Sequence, residues 1–152
     1  MSRAPWTCDS CGHPIISEED GWVEWIEFKT ASGRQGRDLR LVHRMTASPV
    51  GKRCQFDQQV ERNNDGGLVA DDSLSNFLGS DGLMELLAML EEARLPRDEV
   101  IEMIKRLHIE GYEQARPYFT EAIYEGVFEP NTLPGYYRQS EIKAVLEFAS
   151  RQ

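Results

Sequence analysis

Cys8, Cys11, His43 and Cys54 are the residues of this chain whose types and spacing point most directly to chemistry. Cys8 and Cys11 form a Cys-x2-Cys pair, with His43 and Cys54 downstream. Three thiolates and one imidazole form a ligand set that holds structural zinc tetrahedrally. The four residues are therefore read as one Zn2+ site, which uses all three cysteines of the chain. His13 is the rival fourth ligand; it follows Cys11 too closely for easy geometry and ranks below His43. Four protein ligands leave no position open for water, so the expected metal is structural and no catalytic residue is assigned.

The elements that must position these ligands follow from the pattern around them. Gly12 directly after Cys11 allows a tight turn that aims backbone amides at sulfur, and Cys8 to Gly12 resembles a zinc knuckle. Gly21 to Thr30 (GWVEWIEFKT) alternates as a strand does. Asp38 to Met45 is a second strand candidate, with Leu39, Leu41 and His43 on one face. The glycine-rich, polar stretch Ala31 to Arg37 between them suits a hairpin loop. The second strand then carries His43 to the two cysteines, and Cys54 closes the site from the next loop.

The chain has 152 residues, 40% of them hydrophobic, and a formal net charge of −9, enough to build a real core. No apolar run is long enough to span a bilayer and no leader-like N-terminus is present, so a non-membrane, cytoplasmic protein is expected. An odd cysteine count with metal-type spacing fits a reducing compartment. The charge is uneven: residues 1–54 are close to neutral, whereas 55–152 are strongly acidic. Within the first part, Lys29, Arg34, Arg37, Arg40 and Arg44 make a basic hairpin, a candidate nucleic-acid surface that the acidic whole opposes at long range.

Beyond the hairpin, Arg62 to Asp72 (RNNDGGLVADD) reads as a loop between domains. Leu83, Leu86, Leu87 and Leu90 follow the i, i+3, i+4, i+7 spacing of one buried helical stripe. Pro96 ends that pattern, and Arg97-Asp98-Glu99 opens a helix with Val100, Ile101, Ile104 and Leu107 inward and His108 as a packing histidine. A third helix covers Tyr112 to Tyr124, complicated by Pro117. Gly126 to Tyr137 is turn-rich, and Ser140 to Arg151 is a last helix. The expected fold class is α+β: residues 1–61 a small zinc-knuckle β-hairpin module, 62–72 a linker, and 73–152 an acidic bundle of about four helices.

These features lead to a functional expectation. No phosphate-binding loop, nucleophile elbow or His-Glu-x-x-His helix is present. The ligands also lack the His-x-Glu and Pro-Cys-x-x-Cys of nucleobase deaminases. A non-enzymatic, zinc-stabilised small regulator that binds another macromolecule is expected. A protein partner is preferred, met by an acidic face that includes Glu99 and Glu102. The alternative is a nucleic-acid regulator using the basic hairpin, and the third an enzyme of unrecognised type.

Overall fold

The computed structural model describes residues 6–130 and 133–152 and is a mixed helix-and-strand structure. The expected turn-rich connection 126–137 includes Asn131 and Thr132, which lie outside the described residues, as do residues 1–5. The chain divides into two compact units, residues 1–108 and 109–152. The expected division placed the linker at 62–72 instead.

In the first unit, β1 (Trp6–Thr7) and β2 (Pro14–Ile15) pair antiparallel across the turn that carries Cys8 and Cys11. A longer hairpin follows, made of β3 (Gly21–Thr30) and β4 (Gly33–His43). β3 has the expected limits. β4 begins five residues earlier than expected, because the reversal needs only Ala31 and Ser32, with Gly33 at φ +117° and the Thr30 hydroxyl on its carbonyl at 2.8 Å. Gly33 to Arg37 has poor strand propensity, yet ladder pairing with β3 overrides it.

The ladder slips once. Glu24 faces Arg40 and Ile26 faces Arg37, so one residue of β3 opposes two of β4, with Asp38 in the left-handed region at φ 60°. This is a β-bulge, which bends a strand and frees a backbone group from the ladder. The Leu39 amide beside it turns outward to the Glu99 carboxylate at 2.9 Å.

The 62–72 loop expectation is corrected. α1 (Gln58–Asp65) begins on Asp57, whose carboxylate accepts from the Gln59 and Val60 amides, and ends on Gly66 at φ +74°. β5 (Leu68–Ser73) then joins the sheet antiparallel to β3, in the order β4-β3-β5. The Asn, Asp and Gly content that suggested a loop marks a helix cap and a tight join.

α2 (Gly79–Glu92) and α3 (Arg97–His108) complete the first unit. Its core joins Val23, Leu39 and Leu41 of the sheet to Leu86, Met89, Val100 and Met103 of these helices and to Leu74 and Phe77 before them. The stripe expected on α2 is only partly inward. Gly82, Leu86 and Met89 are buried, Leu83 and Leu90 are half-buried, and Leu87 is 43% exposed. Gly82 sets this rotation, because a Cβ there would lie 2.0 Å from the Phe77 carbonyl carbon. His108 is half-buried against the Phe77 carbonyl at 2.8 Å, as a packing histidine should be.

In the second unit, the helix expected over 112–124 is two short ones, α4 (Tyr112–Ala115) and α5 (Phe119–Tyr124), separated by a 3-10 turn at Arg116–Tyr118. Pro117 causes the break, since its ring excludes a continuous hydrogen-bond ladder. α6 (Gln139–Ala149) packs Ile142 and Val145 on Tyr112, Ala115, Phe119 and Ala122.

Candidate metal centre

The Cys8 to His13 turn is built by short-range hydrogen bonds. The Gly12 amide donates to the Cys8 carbonyl at 2.9 Å and the Cys8 amide to the His13 carbonyl at 3.0 Å, with Gly12 at φ +78°. That conformation costs a side-chain-bearing residue and is free to glycine. The His13 amide then points at Cys11 Sγ (3.4 Å), and the His43 amide at Cys8 Sγ (3.4 Å). Both sulfurs thus receive backbone donors, as thiolates require.

β4 delivers His43 from its last position. Its Nε2 lies 2.9 Å from the Pro14 carbonyl, which can only accept, so Nε2 carries the proton and Nδ1 is left as a lone-pair donor. Nδ1 is 3.5 Å from Cys11 Sγ and 3.7 Å from Cys54 Sγ. The four donor atoms of Cys8, Cys11, His43 and Cys54 all lie within 4.8 Å of one another. A tetrahedron with metal–sulfur bonds of about 2.3 Å and a metal–nitrogen bond of about 2.0 Å has edges of roughly 3.5–3.8 Å. The two measured sulfur–nitrogen separations are edges of that size. Cys8, His43 and Cys54 are buried and Cys11 half-buried, so this group of donors could hold a metal ion.

His13 stands apart. Its side chain is exposed and its Nδ1 meets the Cys11 carbonyl at 3.2 Å, outside the donor cluster.

The thiols respond to their surroundings in opposite ways. Burial pushes the Cys8 thiol up, but the Cys11, His43 and Ser10 amides and the Cys11 side chain outweigh it and leave it below its ordinary value. Cys54 has burial and the neighbouring thiols of Cys11 and Cys8 against its charged form, and is pushed up to about 11. A cation among the sulfurs reverses that balance, since coordination favours the thiolate.

Two ion pairs fix the frame around the donors, and neither was read from the sequence. Arg106 of α3 is buried; it donates to Asp9 Oδ2 at 2.7 Å and to the Thr7 carbonyl at 3.1 Å, while Asp9 Oδ2 also accepts from the Leu41 amide at 2.8 Å. On the sheet, the fully buried Glu24 accepts from Arg40 Nε at 2.8 Å and from the Phe56 amide at 3.0 Å. Arg40 continues to the Cys54 carbonyl at 2.9 Å and lies 3.6 Å from the centre of the Phe56 ring. Burial pushes the Glu24 carboxyl up, against the Phe56 amide and the Arg40 charge. The cross-strand pairing of Glu24 with Arg40 was the available signal, hidden by the bulge next to it.

The other residues singled out in sequence have neighbours of their own. Arg34 pairs with Glu27 at 2.9 Å, and Arg37 with Asp38, with Glu61 at 2.8 Å and with Asp65 at 3.1 Å, carboxylates that raise its pKa further. Arg44 donates to the Glu19 carbonyl and lies 5.9 Å from the Trp22 ring centre, and Lys29 borders a cleft beside Phe28 and Leu68. Glu99 holds the Leu39 amide, and Glu102 lies 3.3 Å from Lys105. No helix among the described residues is long and apolar enough to cross a membrane. No family profile matches the chain, and neither a curated protein nor a solved structure matches it.

Proposed function

We propose that the Cys8–Gly12 turn is a zinc knuckle, that Cys8, Cys11, His43 and Cys54 bind one structural Zn2+, and that the metal-held module binds a protein partner without catalysing a reaction. The observation that carries the reading is the convergence of four buried or half-buried thiol and imidazole donors within 4.8 Å of one another, with Nδ1 of His43 at tetrahedral-edge distance from two of the sulfurs. Thiolate and imidazole together favour zinc among common divalent ions, and a four-ligand shell is the closed, structural kind. On binding, the cysteines give up their protons and the ion ties together the N-terminal turn, the end of β4 and the loop before α1. Two features support a non-enzymatic role: all three cysteines are ligands, leaving no thiol nucleophile, and no coordination position stays open for substrate.

A protein partner is favoured over nucleic acid because carboxylates already neutralise Arg34, Arg37 and Arg40. The test begins with elemental analysis of protein purified without added metal. One zinc per chain, lost in Cys11→Ser together with the folded state, is the expected result; a native chain without metal overturns the proposal. Affinity capture from the source cell, with loaded and stripped protein side by side, tests the second half. The expected result is a protein retained by the loaded form alone; recovery of nucleic acid instead overturns the partner assignment.

A further inference from the structure

We infer that the outward face of α2 is the docking surface for a basic amphipathic helix of a partner protein; this rests on the protein-partner reading above and names the surface and the chemistry it selects. A helix packed on one side of a domain normally shows polar residues to solvent. α2 does not. Once Gly82, Leu86 and Met89 have turned to the core, Met84 is 67% and Leu87 43% exposed, with Leu83 and Leu90 half-buried beside them. At 100° per residue these four side chains span one arc of the helix. The arc runs into a cleft of about 440 Å³, whose lining includes Leu90, Phe28, Leu95 and Pro96 together with Arg94 and Arg97. An apolar strip, crossed by Glu91 and ending in a pocket, is the form of a helix-in-groove site with one anchor residue.

Charge selects the occupant. α2 carries Asp81, Glu85, Glu91 and Glu92 and no lysine or arginine, and all four acids are exposed. Helical geometry puts Asp81, Glu85 and Glu92 along the flank beyond Met84, and Glu91 one turn after Leu87 on the strip itself. Asp81, Glu85 and Glu91 have no basic partner among the described residues, while Arg94 lies 3.9 Å from Glu92. Two copies of α2 in contact would bring Glu91 and the flanking acids of each copy together, in a chain already at −9. A lysine- or arginine-flanked helix meets both the apolar strip and the acids.

The test uses the full zinc-loaded chain and a fluorescein-labelled synthetic helix of leucine and lysine, roughly 18 residues or five turns long, followed by anisotropy. A scrambled peptide of the same composition serves as control. The amphipathic peptide is expected to bind and the scrambled one to bind at least about tenfold more weakly. Met84→Lys and Leu87→Lys, both at exposed positions, are each expected to weaken binding about tenfold or more with the melting midpoint preserved. Glu85→Lys with Glu91→Lys reduces binding most at low salt. Equal binding of the scrambled peptide, or indifference to Leu87→Lys in a folded chain, overturns the proposal. So does concentration-dependent dimerisation abolished by Leu87→Lys, which assigns the face to a second copy. A chain that holds zinc and captures a protein unaffected by Leu87→Lys leaves the protein-partner reading standing and removes this surface alone. A chain without zinc fails in the elemental analysis, independently of the peptide titration.

Discussion

Arg106 and Asp9, separated by 97 residues in sequence, meet at 2.7 Å, so the turn between Cys8 and Cys11 is fastened to the last turn of α3 by a side chain 3% exposed. Asp9 also accepts from the Leu41 amide, and its own amide donates to the Leu41 carbonyl at 2.8 Å. Arg106→Met removes a buried cation from a carboxylate that is itself partly wet, and should cost about 3 kcal/mol. Competition with a chromophoric chelator should show metal affinity reduced by roughly 10–100-fold, the range for lost support around a ligand. Asp9→Asn, which keeps an acceptor for Leu41, should do less on both counts; equal losses in the two variants would contradict this role for the charge.

His43 and His13 separate the two candidate nitrogen ligands. His43→Ala should abolish stoichiometric metal binding and lower the melting midpoint by well over 10 °C, because a structural zinc contributes directly to folding. His13→Ala leaves the donor cluster intact and should keep one metal per chain. The reverse pattern in elemental analysis would reassign the site.

Glu99 gives a pH dependence whose sign can be worked out. Burial lifts its carboxyl above the ordinary value, helped by Asp38 and Asp98 and opposed by the Leu39 amide. A carboxyl that holds its proton more tightly when folded contributes stability fully below the unfolded-state pKa of about 4.3, and that contribution is lost as pH rises through the folded value. Glu99→Gln keeps an oxygen for Leu39 without the charge. Its urea midpoint should therefore gain on the parent as pH rises from about 4 to about 7; a flat or falling difference contradicts the assignment.

Gly82→Ala tests the packing that turns α2. Alanine is ordinarily the better helix former by about 1 kcal/mol. Here its Cβ would lie 2.0 Å from backbone at Phe77, so α2 must move. A net loss of at least about 2 kcal/mol in denaturant unfolding is expected; a neutral or stabilising result would show that the helix shifts freely.

Local signals carried much of this far, and long-range ones carried the rest. The four donors were legible because ligand chemistry restricts residue type and spacing, and β3 and α3 in their extent, although α3 buries Val100, Met103 and Arg106 and leaves Ile101, Ile104 and Leu107 half-buried. The start of β4 was not, since Gly33 to Arg37 gain strand geometry from pairing with β3. β5 was hidden for the same reason, its Asp71 and Asp72 being ordinary loop residues until a neighbouring strand claims their backbone. On α2, leucine spacing marked a helix but fitted more than one inward face. The steric demand of Gly82 against Phe77 chose between them, and no periodicity contains that contact. The partner of Arg106 was unreadable because it lies 97 positions away.

The single extra residue at Asp38 also sets the phase of the chain between hairpin and donor cluster. Side chains alternate along a strand, so every position after the bulge is displaced by one step relative to an unbroken ladder. Arg37, before it, reaches Glu61 and Asp65 of α1; Arg40, after it, reaches Glu24 and the Cys54 carbonyl; and His43 arrives facing the sulfurs. A chain one residue shorter at this point could keep all four ligands in its sequence and still present the imidazole to the opposite side of the sheet. The grouping of the four donors is thus specified as much by counting along β4 as by the residue types themselves.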